Sequence, residues 1–251
     1  ILLLMIGIAA FSVGIDRIPH WTLAAWLGLT LGGLLALGLF VLLQLRSASP
    51  VIDIRLFGNR DFFGFSAVGL LANGAWCGLV LIATLQLQKV LGLSVLDAGF
   101  YFLFLSASIA FASFTAPFFE RRIGVVRLLR VALFLQTIGI GLLFFIDDLT
   151  WLSIGMLVAG FGCSWGWALP QAGAIRSLPR EKIGLASGSV LTIMILSGNL
   201  VFVLVAMLID LFPNDSAGEA RGIGFAALCV ALIALCGLVC TILLLRRLKH
   251  A

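Results

Sequence analysis

Charge is what this chain of 251 residues has least of: only 11% is Asp, Glu, Lys or Arg, against 62% hydrophobic, with a mean hydropathy of +1.21. A water-solvated domain carries about a quarter charged residues, so a soluble globular fold is excluded and lipid is the solvent to reason with. Histidine is nearly absent: His20 lies between apolar stretches and His250 at the end, and no HExxH, GxSxG or Walker pattern occurs. That excludes the common hydrolase and metalloenzyme layouts and direct drive by ATP within this chain, so the expectation is a non-enzyme with no cofactor. The five cysteines lie inside apolar stretches, and even Cys236 and Cys240, four apart, have no His or acid near them. They read as small packing residues, with no metal site. There is also no basic region and no small-residue cleavage site before the first apolar run, which argues against a signal peptide. The run opens at Ile1 in mid-span, and a longer parent protein is the expectation.

The charge-free stretches are long. They cover 1–15, 21–45, 62–88, 98–119, 131–146, 149–175, 183–209 and 222–245. A helix needs about 20 apolar residues to cross the hydrocarbon, so these are eight candidate spans. The first is short, and so is the fifth unless Arg127 and Arg130 belong to its first turns and snorkel to the headgroups. The runs lack period-2 alternation and are too long for membrane strands, which excludes a barrel. Short gaps leave no room for an inserted soluble domain. The fold class expected is all-α membrane protein.

The basic residues are not scattered. One set of alternate gaps holds Arg46, Arg55 and Arg60; Arg121, Arg122, Arg127 and Arg130; Arg176, Arg180 and Lys182; and Arg246, Arg247 and Lys249. The other gaps hold Arg17, Lys89 and Arg221, and one holds none. This is a positive-inside pattern, which places the basic gaps and the C-terminus in the cytoplasm. It accounts for the net charge of +5 without a nucleic-acid partner.

Inside the spans the polar residues are few. Asn73, Trp76 and Thr84 share one stripe of the third span, and Asn73 must face protein or a water-filled cavity because lipid cannot satisfy it. Ser164, Trp165 and Trp167 stand in a Gly-rich run of the sixth span that ends at Pro170, and they read either as interface anchors or as cavity lining. Asn199 on the seventh span reads equally as cavity lining or interhelical bonding, and Gln136 as interhelical glue. The spacings Gly28/Gly32, Gly74/Gly78, Gly162/Gly166 and Gly184/Gly188 favour close helix packing. Ser94 is expected to cap the fourth span with Asp97 in its first turn. Asp210 and Asp97 read as interface residues, so no coupling carboxylate is expected within the spans.

Four segments resemble one family. Pro50-Val-Ile-Asp53-Ile-Arg55-Leu-Phe57-Gly-Asn59-Arg60-Asp-Phe62 resembles the cytoplasmic linker of the fourteen-helix drug:proton antiporters of the major facilitator superfamily. Leu85 to Gly99, Ala116 to Arg127, and Gly160 to Pro170 with Leu178 to Gly188 resemble further segments of that family in order and spacing. There are departures. Ala116-Pro117 replaces a loop glycine, Ala83-Thr84 stands where a proline is frequent, and Met194 stands where an arginine is frequent.

The resemblance implies two linker transmembrane helices over 1–45, a cytoplasmic linker over 46–61, and the C-terminal six-helix transporter half over 62–251. It implies a secondary-active exporter of drugs or other amphipathic compounds in the cell membrane. Alternating access against an N-terminal half of the same protein would supply the transport, with proton coupling through acids in that half. The third, fourth, sixth and seventh spans would line the cavity, and the fifth and eighth would face lipid. Expected substrate contacts are Asn73, Trp76, Thr84, Trp165 and Asn199, and a cytoplasmic gating loop would use Glu120, Arg121, Arg122 and Arg127. Two other readings stay open: a degenerate transporter serving as sensor or scaffold, and a metabolite transporter of the same superfamily.

Overall fold

The computed structural model describes residues 23–46, 54–145, 148–213 and 215–246, with scattered positions between 3 and 13. The first candidate span therefore lies largely outside the described residues, as do His20, Pro50 to Asp53, Asn214 and everything after Arg246. All regular structure among the described residues is helical: α1 (Leu23–Arg46), α2 (Arg60–Leu85, continued by a π turn over Gln86–Val90), α3 (Val95–Ile123), α4 (Val125–Leu142), α5 (Leu149–Arg176), α6 (Ile183–Asp210) and α7 (Ser216–Leu244). The helices α2 to α7 are each long and apolar enough to cross a membrane. The chain is an all-α, multi-pass membrane protein.

Helix ends are set by side chains that meet backbone N–H groups having no partner in their own helix. Asn59 accepts from Asp61 N and Phe62 N at 2.9 and 3.2 Å, and its amide also donates to Ser177 O, tying the start of α2 to the end of α5. Ser94 accepts from Asp97 N at 3.1 Å, as expected. Asp148 and Asp215 cap α5 and α7 in the same way. Between α3 and α4 there is one residue, Gly124, at φ +81°, a conformation that strains any other side chain.

Several helices outrun their charge-free stretches. α3 continues through Glu120, Arg121 and Arg122; α4 begins at Val125 and so contains Arg127 and Arg130; and α7 begins at Ser216, taking in Glu219 and Arg221. Charge ends an apolar run without ending the hydrogen-bond ladder, because a helix can carry its charged turns into the headgroup layer. α5 runs through Pro170 to Arg176, matching the 149–175 stretch.

The six helices form two triads, α2–α4 and α5–α7. Each triad's first helix packs mainly on members of the other: α2 against α6 and α7, and α5 against α3 and α4. α2 also crosses α5, and α4 crosses α7, so the exchange has two-fold character. A triad has an odd number of spans, which makes the second run inverted relative to the first. α2 and α5 are the most buried helices and α3 and α6 the least, exposing Phe111, Phe114, Ile195 and Phe202. Large apolar side chains fill the interior as well, Phe62, Leu79 and Met156 among them, so both faces of the bundle are apolar.

Glycine sets the closest crossings. A Cβ on Gly162 would lie 2.4 Å from Ala132 O, and one on Gly139 would lie 2.4 Å from Ala159 N, so α4 and α5 touch backbone to backbone. Of the four small-residue pairs, Gly74/Gly78 meets Val201 and Val230, and Gly162/Gly166 meets α4 and α2; Gly28/Gly32 and Gly184/Gly188 face open space. Gly162→Ala is therefore expected to lower the unfolding midpoint in detergent, by about 1–3 kcal/mol of overpacking. Gly188→Ala should leave it unchanged or raise it through helix propensity. Thermal or SDS titration of the two variants checks the opposite signs.

Candidate functional site

Packing of α2, α5 and α6 brings a small neutral patch together. Asn73 of α2 is buried and its amide donates to Met194 O of α6, a carbonyl that also accepts from Ser197 Oγ at 2.6 Å. One turn along α2, Trp76 meets Trp167 of α5 edge to face, with ring centroids 5.5 Å apart and planes at 82°. One turn along α5 from Trp167, Gln171 reaches Met194 Sδ at 3.8 Å. Met194 thus joins both amides. The patch carries hydrogen-bonding capacity and two half-buried indoles, with no ionised group. It can take an aromatic or cationic ligand by stacking and cation–π contact.

The other proposed contacts sit elsewhere. Thr84 is eleven residues beyond Asn73 on α2, about 16 Å along the axis, and its hydroxyl bonds back to Val80 O at 2.7 Å. Trp165 is two residues from Trp167 and so on nearly the opposite helix face. It is buried, donates from Nε1 to Ala112 O at 2.8 Å, and packs with Phe161 and Phe119. Nearby, Ser164 and Ser113 hydroxyls pair at 2.8 Å, closing α5 onto α3. Asn199 is exposed on α6, five residues past Met194 and turned well away from it. The structure groups Asn73 with Trp76, and leaves Thr84, Trp165 and Asn199 apart.

Of the patch residues, Gln171 did not stand out in the sequence, and Trp167 was open between interface anchor and cavity lining. Gln171 follows Pro170, and the continuous α5 places it one turn from Trp167. Gln136 does serve as glue: its amide donates to Ala72 O at 2.9 Å and toward Cys163 Sγ at 3.6 Å, joining α4 to α2 and α5.

At the basic end, Glu120 of α3 pairs with Arg176 of α5 at 2.5 Å. Arg176 was not among the expected gating residues, since its partner lies 56 positions away. Arg122 stands over the Phe118 ring at 4.3 Å, and Arg121 is exposed. Arg127 lines a cavity of about 300 Å³ together with Asp61, Phe65, Val126 and Arg176. The four gating candidates therefore gather at one end, but only Glu120 holds an ion pair among the described residues. At the opposite end Lys89 pairs with Glu219 at 2.8 Å, tying the π turn of α2 to α7. Among the described residues no three His, Cys, Asp or Glu side chains come together as metal ligands.

No family model matches the chain. It is similar to Quinolone resistance protein NorB of Staphylococcus aureus, at 30% identity over 199 residues with the protein of strain MSSA476, which is 70% of this chain and 38% of that relative. With the protein of strain Newman the identity is 32% over 172 residues, 60% of this chain and 33% of that relative. The chain spans about a third of the length of the curated relatives it matches.

The two asparagines should separate in stability. Asn73→Val removes a buried interhelical hydrogen bond while Ser197 still satisfies the Met194 carbonyl, so a loss of about 1 kcal/mol is expected. Asn199→Val should change the unfolding midpoint by no more than an ordinary exposed substitution. Paired unfolding curves in one detergent read the difference.

Proposed function

We propose that this chain is the C-terminal part of a major facilitator transporter that exports amphipathic compounds by alternating access, driven by protons. The observation that carries the reading is the likeness to Quinolone resistance protein NorB over most of the chain. The inverted two-triad packing supports it, being the internal symmetry of such transporter halves. In this reading residues 1–45 supply two linker helices, 46–61 the cytoplasmic linker, and 62–251 one six-helix half that rocks against its counterpart in the same protein. The basic end and the C-terminus face the cytoplasm, and the membrane is the cell membrane.

The neutral patch is the substrate contact of this half, with Asn73 and Trp76 acting alongside Trp167 and Gln171. Thr84, Trp165 and Asn199 are retained as outlying contacts. Thr84 lies further along α2, Trp165 shapes the α3 wall, and Asn199 faces outward from α6, where the counterpart half would approach. A lipophilic cation or a planar aromatic such as a quinolone suits indole faces, and the absence of a fixed charge lets chemically different molecules bind.

Glu120, Arg121, Arg122 and Arg127, with Arg176, form the cytoplasmic latch. The Glu120–Arg176 pair is largely solvated on the arginine side, so it is worth about 0.2–1 kcal/mol. A bond that weak can be exchanged between two conformations of similar energy without trapping either. The proton-coupling carboxylates belong to the counterpart half.

Everted membrane vesicles carrying the full-length protein test this. An imposed pH gradient should drive accumulation of a quinolone or a lipophilic cation, and a protonophore should collapse it. Trp76→Ala should cut the rate about ten-fold, the worth of a cation–π contact at a half-buried ring. If no such compound moves in response to the gradient, the export reading fails. Cysteine labelling should place residue 251 inside and residue 214 outside; the reverse overturns the orientation.

A further inference from the structure

Between α2 and α6, toward the basic end, lies a cleft of about 650 Å³ that the patch above does not use. Phe63, Ala67 and Leu70 form one wall, Leu196 and Leu200 the other, and Ile233 of α7 the floor. Phe57, in the 3-10 turn just before α2, lines its end. The cleft is almost wholly apolar. It has one exception that nothing in the fold explains: Ser66 is 2% exposed, lines the cleft, and its hydroxyl has no hydrogen-bond partner. The other serine of the cleft, Ser197, is committed to Met194 O.

A cation stands over the mouth. Arg60, Phe63, Ala67, Leu70 and Gly74 follow one stripe of α2, so the exposed Arg60 lies one turn above the apolar wall at the basic end. Arg60 has no ion pair among the described residues. Ser66 is six residues further in, about 9 Å along the axis. A cation at headgroup depth, an unpaired hydroxyl below it and an apolar cleft below that follow the order of parts in a glycerophospholipid: phosphate, ester, acyl chain.

The two-fold exchange of helices supplies an internal comparison. The corresponding cleft between α5 and α3 opens toward the other end, with a volume of about 420 Å³, lined by Phe100, Phe104, Ser108 and Phe161. There the serine hydroxyl is satisfied, Ser108 bonding Leu105 O at 2.8 Å, and the residue capping α5 at that end is the acid Asp148. Two clefts of similar apolar character thus differ in the two features that would recognise a phospholipid head.

We propose that the α2–α6 cleft binds one anionic glycerophospholipid from the leaflet at the basic end. Its phosphate lies on Arg60, an ester carbonyl accepts from Ser66 Oγ, and one acyl chain occupies the space between Phe63 and Leu200. Ser66 lines the cleft, and its unpartnered hydroxyl is the donor such a carbonyl needs. A basic residue at a crevice between membrane helices is the general basis of headgroup selection. The inference rests on the membrane-spanning fold and is independent of the transport reading.

The test uses the full-length protein in nanodiscs of phosphatidylglycerol and phosphatidylcholine, with a photoactivatable diazirine on the acyl chain of either lipid. Crosslinks from the phosphatidylglycerol probe are expected in peptides covering 63–74 and 193–201. They should exceed those from the phosphatidylcholine probe by about five-fold, the preference that one near-surface cation confers. Arg60→Gln should bring the two probes to parity, Arg60→Lys should preserve the preference, and Ala67→Phe should abolish labelling of both segments. Because the wild-type map alone decides occupancy, a variant that fails to fold leaves the test intact. Equal headgroup preference in the α3–α5 cleft, an unchanged preference in Arg60→Gln, or no labelling of the α2–α6 cleft would each overturn the proposal. So would displacement of the lipid by a lipophilic cation at its transport concentration, which would mark the cleft as a route for substrate.

Discussion

The close crossing of α4 and α5 is the contact on which the rest of this bundle depends. Lipid tails attract an apolar helix as well as another helix does, so association needs atoms that approach nearer than any lipid could. Gly139, Gly155 and Gly162 provide that approach, with backbone atoms of one helix filling the space where side chains of the other would stand. The crossing brings Gln136 to the place where its amide reaches the Ala72 carbonyl of α2. α2 is then held between α5 and the α6–α7 pair, and its position decides where Asn73 and Trp76 stand. A side chain on Gly162 would therefore be felt across three helices.

The same solvent governs how polar groups are used. The charges of the six spanning helices lie in their terminal turns, where caps, dipoles and headgroups stabilise them, or, for Arg127 and Arg130 of α4 and Arg221 of α7, within the first two turns. What remains in the middle is amide, hydroxyl and indole. Most of it is spent on structure: Thr84, Thr137, Ser153 and Thr241 bond back along their own helices, and Trp165 is fixed to Ala112 O. The Asn73–Trp76–Trp167–Gln171 patch stands out because its two indoles remain half exposed after these obligations are met.

Much of the fold was legible in the sequence because lipid imposes a one-dimensional rule. Runs of apolar residues became helices, and Ser94, with Asp97 behind it, capped α3 as its spacing suggested. Boundaries were less legible where they depended on depth: nothing local shows that Glu120 to Ile123 stays helical, although the 149–175 stretch did carry α5 through Pro170. Pairing was the hardest part. The two glycine pairs that meet a neighbour look no different in sequence from the two that face open space. Glu120 reads as a loop acid until Arg176, far along the chain, is brought beside it. Asn73 was required to face protein or a water-filled cavity, and it faces protein, bonding the Met194 carbonyl. Asn199 carries the same chemistry, yet it lies on the outer face of α6, and only the packing distinguishes the two.

The exchange of partners between triads bears on how the protein is made. Asn73 leaves the ribosome before the carbonyl it bonds, which belongs to Met194, 121 residues later. At translation rates of 5–20 residues per second that is a delay on the order of ten seconds. Neither triad is a finished unit, since α2 completes its packing only when α6 and α7 have entered the membrane. During that interval the amide of Asn73 has no final acceptor, and the bilayer offers none. Biogenesis of this fold therefore calls for a sheltered waiting place beside the insertion machinery, where early helices are held until the last one arrives.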